Sequence, residues 1–385
     1  MSGPFDWVDA RAAQREADGL RRRLRPRQSE DGVLDLAGND YLGLAGHPDV
    51  LAAATRALKE WGAGSTGSRL VTGSTALHAE LEAAAADLFG AEAALCFSSG
   101  YLANIGAVTA LTGPGTLIVS DAINHASLID ACRLSGARVE VTAHCDPVAV
   151  EAVLAARAEE RAVVVTDGVF SVDGDVAPLA ALAAAARRHG AGLIVDEAHA
   201  IGVIGPEGRG TVHEAGLSGA PDVVVTGVLS KSLGTQGGLV AGPRRVVEHL
   251  VDSARSFIFD TGLAPAAAGA GLAALELLRA DPRLAGAVRA RARDLQRLAR
   301  QAGFDAPQPG GAVVGIRIGQ PEVALACAAA CLEAGVRVGC FRPPSVPDGW
   351  SRLRLTAHAT LRPEDLDRAA AALAAAAAVA QATDR

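Results

Sequence analysis

No CxxC pair occurs in this chain, although it holds six cysteines. Cys327 and Cys331 fall on one helix face, but no histidine and no second pair completes a zinc site. What remains are free thiols of a reducing compartment. A basic excess is missing as well: the net charge is −7, which argues against a nucleic-acid binder, and the stretch Arg21-Arg22-Arg23-Leu24-Arg25 is too short to reverse that. Met1-Ser2-Gly3-Pro4-Phe5-Asp6-Trp7 lacks the basic start and apolar core of a signal peptide. No apolar run is long enough to cross a bilayer. The alanine tract Ala369 to Ala380 is too short and is flanked by Asp367, Arg368, Asp384 and Arg385, so it reads as a terminal helix. A cytoplasmic protein without internal repeats or membrane contacts is expected.

What is present is a large apolar share. Half of the 385 residues are hydrophobic, enough for two domains or one α/β unit with an appended lobe. Residues 9 to 25 look helical and lead into an extended piece from Val33 to Leu36. Pro48 to Trp61 is a second helix, followed by a Gly/Ser/Thr-rich loop, Gly62 to Ser74. Apolar β-rich runs then alternate with helices near 93–97, 116–120, 137–142, 162–166, 192–195, 222–226 and 238–241. That alternation predicts a mainly parallel sheet with helices on both faces. Past residue 275, long Ala/Arg/Leu helices (281–302 and 321–334) bracket strands near 312–318, 336–339 and 352–356. The fold class is α/β: an N-terminal segment (1–45), a large domain (46–275) and a smaller C-terminal α+β domain (276–385).

The chemistry-bearing residues sit where apolar runs end. Gly192-Leu193-Ile194-Val195 runs into Asp196-Glu197-Ala198-His199, and Val223-Val224-Val225 precedes the loop of Lys231. Ligands of open α/β sheets collect at the carboxyl ends of strands. One carboxylate, one imidazole and one amine facing a crevice suit pyridoxal 5′-phosphate (PLP), whose aldehyde condenses with a lysine and whose ring nitrogen needs an acidic partner. The Gly-rich surroundings of Lys231, with Gly234, Gly237 and Gly238, allow close backbone approach, and partial burial would keep its amine free.

Other motifs are weaker one by one. Gly62-Ala63-Gly64-Ser65-Thr66-Gly67 matches GxGxxG, but a helix precedes it where a dinucleotide site needs a strand. Ala94-Leu95-Cys96-Phe97 before Ser98-Ser99-Gly100-Tyr101 reads as strand, turn and helix start. The N–H groups of Gly100 and Tyr101 suit a phosphate, and Ser99 alone would be a plain N-cap. His125, after the strand at 116–120, could stack on a planar cofactor; Ser171, after 162–166, could donate to a phenolate oxygen. A metal is the main rival for Asp196 and His199, yet no further ligands lie nearby in the sequence, so none is expected.

Taken together, the chain resembles the fold-type I PLP enzymes and, among them, the α-oxoamine synthases. The resemblance runs over nearly the whole chain. It rests on Asn39-Asp40-Tyr41-Leu42-Gly43-Leu44, Gly67-Ser68-Arg69, Ser99-Gly100-Tyr101-Leu102-Ala103-Asn104 and His125-Ala126-Ser127. It continues in Val169-Phe170-Ser171-Val172-Asp173-Gly174-Asp175, Asp196-Glu197-Ala198-His199 and Leu229-Ser230-Lys231-Ser232-Leu233-Gly234. The family joins an amino acid to an acyl thioester with loss of CO2, usually as a homodimer with sites at the interface. Arg342-Pro343-Pro344-Ser345-Val346-Pro347 and Arg352-Leu353-Arg354-Leu355-Thr356 are similar to the branch that serves biotin synthesis from L-alanine and pimeloyl-CoA or a pimeloyl-carrier protein. The resemblance implies Lys231, His125, Asp196 and His199 as catalytic residues, with Gly100, Tyr101, Ser171 and Ser230 also on the cofactor. Arg21, His125, Arg342, Ser345 and Arg354 are its substrate candidates, Arg354 for the alanine carboxylate. Glycine or serine donors, or an aminotransferase, are the alternatives. One position departs from the pattern: Val228 stands where the family usually has a threonine on the phosphate, so either cofactor affinity is weaker or Thr226 or Ser230 compensates.

Overall fold

The computed structural model describes residues 3–29, 31–343, 345–346 and 348–383. Its strands are β1 (Leu34–Leu36), β2 (Ala93–Phe97), β3 (Thr116–Asp121), β4 (Arg138–Thr142), β5 (Arg161–Asp167), β6 (Gly192–Asp196), β7 (Val223–Val228), β8 (Gly238–Gly242), β9 (Val313–Gly319), β10 (Val336–Phe341) and β11 (Ser351–Thr356). Seven of them form one sheet in the order β2-β8-β7-β6-β5-β3-β4. Within it β8 runs antiparallel to both β2 and β7, and the remaining pairs are parallel. The mainly parallel sheet expected from the sequence is present.

Both faces of that sheet are covered, which explains why its strands are apolar throughout rather than alternating. Leu193, Val195, Val223 and Val225 point into one core, with Leu42, Leu81 and Leu229. Ile194, Val165 and Val224 point into the other, with Ala103, Leu128 and Leu250. Successive side chains of a strand face opposite sides, so each strand feeds both layers.

The second sheet has the order β1-β10-β11-β9. Its strands near 312–318, 336–339 and 352–356 are those expected. Its edge is β1, which pairs in parallel with β10, Leu34 opposite Val336. The N-terminal segment thus completes the C-terminal sheet. The N-terminal helix is shorter than the sequence suggested: it spans Trp7–Ala17 instead of 9 to 25. Gly19 turns the backbone into the left-handed region (φ 64°), and the arginine-rich stretch beyond it is not helical. A helix that buries none of its residues has only local propensity to extend it, and glycine ends that. No helix among the described residues is long and apolar enough to cross a membrane.

Candidate active site

β5, β6 and β7 lie side by side, and their carboxyl ends carry Asp167, Asp196 and the turn to Lys231. Asp167 is directly opposite Asp196. Lys231 lines a cavity of about 530 Å³ together with Asn39, Asp40, Ser230, Thr235, Thr356 and His358. Burial brings its amine down to about 8, against the opposing pull of the Asp196 and Asp167 charges; Arg354 pushes the same way as burial. A neutral amine is therefore available near neutral pH.

Asp196 is buried and held on both carboxylate oxygens. Asn104 Nδ2 donates to its Oδ2 at 2.7 Å, and the Ala198 N–H to its Oδ1 at 2.8 Å. Asn104 is itself oriented by Thr226, whose hydroxyl donates to Asn104 Oδ1 at 2.5 Å. The Thr226 hydroxyl is thus committed to Asn104 and does not replace the missing threonine at Val228. Ser230 is exposed and lines the Lys231 cavity, so it is the hydroxyl still available. Asp167 accepts from the His125 N–H at 2.7 Å, and burial beside Asp196 holds its carboxyl well above the usual range. Asp167 and Asn104 were not singled out from the sequence: each acts on a partner distant in the chain.

His199 is buried, and its Nδ1 lies 2.6 Å from the Tyr41 hydroxyl. Burial, then the charges of Lys231, Arg354 and His125, push its pKa well below the usual imidazole range. His125 caps the helix Ala126–Leu134, with Nδ1 2.7 Å from the Ser127 hydroxyl. Desolvation lowers its pKa as well; Asp196 opposes that and Lys231 adds to it.

The helix Gly100–Leu111 starts beside β7, with Ser99 as its N-cap. Among the described residues the Gly100 and Tyr101 N–H groups have no acceptor. A Cβ at Gly100 would lie 2.1 Å from Val228 Cγ1, so glycine is needed for the helix start to sit against β7.

Arg354 is the most telling charge in the site. It is buried, donates to the Ser171 carbonyl (2.9 Å) and to Asn39 Oδ1 (3.0 Å), and stacks 4.6 Å over the Phe341 ring. Its Nε has no partner, and no carboxylate pairs with it among the described residues. Arg352 differs sharply: two residues away on β11, it is held by Asp173 (3.1 Å) and Asp348 (2.6 Å). Ser171 meets Arg354 through its carbonyl rather than its hydroxyl.

Arg21, Arg342 and Ser345 come together elsewhere, along a cleft of about 800 Å³ shared with Arg22 and Phe341. Since Phe341 also carries Arg354, the cleft adjoins the main site. Arg342 Nη1 donates to the Gly19 carbonyl, and Arg21 pairs with Glu16 at 3.2 Å. Pro344 and Pro347 of the quoted motif lie outside the described residues.

Glu197 is not a ligand-like carboxylate. It accepts from Thr211 N, Thr211 Oγ1 and Val212 N, capping a short helix, and burial raises it to about 7. Asp121, His144 and Cys145 cluster at the end of β3, but both His144 nitrogens are taken, by Asp121 at 2.9 Å and by Asp175. The GxGxxG loop follows the helix Pro48–Trp61, and the pair Arg69–Glu82 (2.8 Å) anchors it.

The residues present fit PLP: a half-buried amine of lowered pKa, a buried carboxylate held by Asn104, a neutral imidazole and an unsatisfied helix start converge. Comparisons with known proteins agree. The aminotransferase class I and II family profile matches residues 31–373. An 8-amino-7-oxononanoate synthase of Mycobacterium sp. (strain JLS) is 61% identical over 372 residues, 96% of each chain. A serine palmitoyltransferase variant from S. paucimobilis, solved with a bound PLP–myriocin aldimine, superposes with a TM-score of 0.91 at 30% identity, covering 98% of each chain. An 8-amino-7-oxononanoate synthase from Francisella tularensis shares the fold, with a TM-score of 0.79 at 24% identity over 92% of this chain and 100% of that one.

Proposed function

The chain belongs to the aminotransferase class I and II family, and we propose that it is a PLP-dependent acyltransferase acting as its 8-amino-7-oxononanoate synthase relatives are named. The reaction joins L-alanine to pimeloyl-CoA, or to a pimeloyl-carrier protein, with loss of CO2 and of the thiol, in biotin biosynthesis. The observation that carries this reading is the buried Arg354 beside the Lys231 amine, a cation with no carboxylate partner among the described residues. A buried guanidinium left unpaired is costly, and an amino-acid carboxylate would relieve it.

When bound, PLP supplies an electron sink that makes the Cα proton of the amino acid removable. Lys231 would hold the cofactor and, once displaced by alanine, move the Cα proton with an amine whose pKa is about 8. Asp196, fixed by Asn104, would take the N–H of the ring nitrogen by a charge-assisted hydrogen bond. His125 would cover the ring face, and His199 with Ser171 or Ser230 would donate to cofactor oxygens. The N–H groups of Gly100 and Tyr101 would take the phosphate. Arg354 and Asn39 would hold the alanine carboxylate. The cleft of Arg21, Arg342 and Ser345 has the charge to take an anionic acyl donor.

The same proposal includes a homodimer whose Gly62–Ser74 loop reaches the partner's site. Val71 (79% exposed) and Phe259 (72%) support it as exposed apolar side chains on two segments joined by the Ser68–Thr261 bridge. It also includes a cytoplasmic location, supported by six free thiols, and the division 1–45, 46–275 and 276–385.

Mass spectrometry of the product tests the reading. Purified protein, PLP and pimeloyl-CoA are incubated with L-alanine, glycine or L-serine, then with the carrier-protein donor in place of CoA. Product of the 8-amino-7-oxononanoate mass from alanine alone is expected. Arg354→Leu should raise the alanine KM by about ten- to a hundredfold, the range of a lost charged hydrogen bond. Transamination of alanine without any thioester product would overturn the assignment.

A further inference from the structure

Tyr41 is fully buried, and burial holds its hydroxyl far above the ordinary phenol range, so it keeps its proton at working pH. That single proton has two acceptors in reach: His199 Nδ1 at 2.6 Å and Asn39 Oδ1 at 3.1 Å. Asn39 Oδ1 already accepts from Arg354 Nη2 at 3.0 Å. The Asn39 oxygen has two lone pairs and can accept from both, so contact length decides: 2.6 Å to His199 against 3.1 Å to Asn39 assigns the proton to His199.

The state of His199 then follows. An imidazolium would carry protons on both nitrogens and would turn Nδ1 into a donor. Burial, and after it the charges of Lys231 and Arg354, disfavour that form, and no carboxylate is among the groups that set its charge. A neutral imidazole has one proton. With Nδ1 accepting from Tyr41, that proton sits on Nε2, which has no hydrogen-bond partner among the described residues.

We propose that Tyr41 is a positioning residue that holds His199 as the neutral Nε2–H tautomer and so fixes Nε2 as a donor to the anionic ring oxygen of the cofactor. The proposal rests on the PLP reading of the site. Without Tyr41 the ring could carry its proton on Nδ1 and present a lone pair to that oxygen instead, which would repel it. Asn39 ties the device to the substrate side: its carbonyl oxygen lies within reach of both the Tyr41 hydroxyl and the Arg354 guanidinium.

The test uses the holoenzyme labelled with ¹⁵N in histidine only. The His199 signals are identified by their loss in His199→Gln. A long-range ¹H–¹⁵N spectrum of the wild type should show a proton-bearing Nε2 and a bare Nδ1, and Tyr41→Phe should lose that fixed pattern. In the same variant the pH midpoint of the visible absorbance of bound PLP should rise by about half a unit or more, because a donor to the ring oxygen is no longer held. The kcat should fall about tenfold while the alanine KM moves less than about twofold. A wild-type His199 protonated on Nδ1, or on both nitrogens, overturns the proposal. So does a Tyr41→Phe variant with unchanged spectrum, midpoint and kcat. If Tyr41→Phe does not fold, the wild-type spectrum decides alone. If the wild type binds no PLP, the cofactor reading fails, while the tautomer is still read from the same chain.

Discussion

Arg352 and Arg354 are the same residue type on one strand, yet their neighbours give them opposite uses. Asp173 and Asp348 neutralise the first, and among the described residues no carboxylate meets the second. Sequence alone separates them only through the family resemblance, because the neutralising acids come from another loop and from the turn before β11. Lys231, Asp196, His199 and His125 were legible because each ends an apolar run. Tyr41 and Asn104 stand in the resembling motifs without a role of their own and Asp167 in none, since their partners His199, Asp196 and His125 lie far along the chain. The lowered pKa of Lys231 has a measurable sign. The neutral amine is the reactive form, and its share falls about tenfold for each pH unit below the pKa. With that pKa at about 8, PLP capture by the stripped protein should quicken as pH rises to that value and then level off. Stopped-flow absorbance would follow it. A rate still climbing well above that point would mean an ordinary, solvated lysine.

At the scale of elements, the strands of the large sheet were readable because both faces are buried and the apolar runs are unbroken. The N-terminal helix was overestimated because a charged stretch without apolar periodicity gives no sign of where it ends; Gly19 ends it. The three-residue β1 gains its meaning only from β10, a long way off in sequence. Between elements, Val228 at the end of β7 presses on Gly100 at the start of the next layer's helix. Threonine matches valine in shape, so its hydroxyl can occupy the position of Cγ1 beside the unsatisfied helix start. Val228→Thr should tighten PLP binding by about tenfold, the lower end for a hydrogen bond to a charged group. Equilibrium dialysis would read it. An unchanged or weaker dissociation constant would show a pocket already rebuilt around valine.

For the whole molecule, the exposed apolar side chains Leu70, Val71 and Phe259 make the proposed dimer testable. Val71→Arg should shift the protein from dimer to monomer in light scattering and cost PLP occupancy, because a charge inside an apolar contact goes unpaired. A variant that stays dimeric would remove this surface from the interface. The pairing of β1 with β10 also has a consequence for how the molecule is made. The Lys231 cavity is walled by Asp35 to Ala45 from the beginning of the chain and by Thr356 to Thr360 from near its end. On a ribosome adding roughly 5–20 residues per second, the first wall must wait for the second to emerge. A nascent chain stalled before β11 would carry the lysine, the aspartate and both histidines, yet have no closed chamber in which to use them.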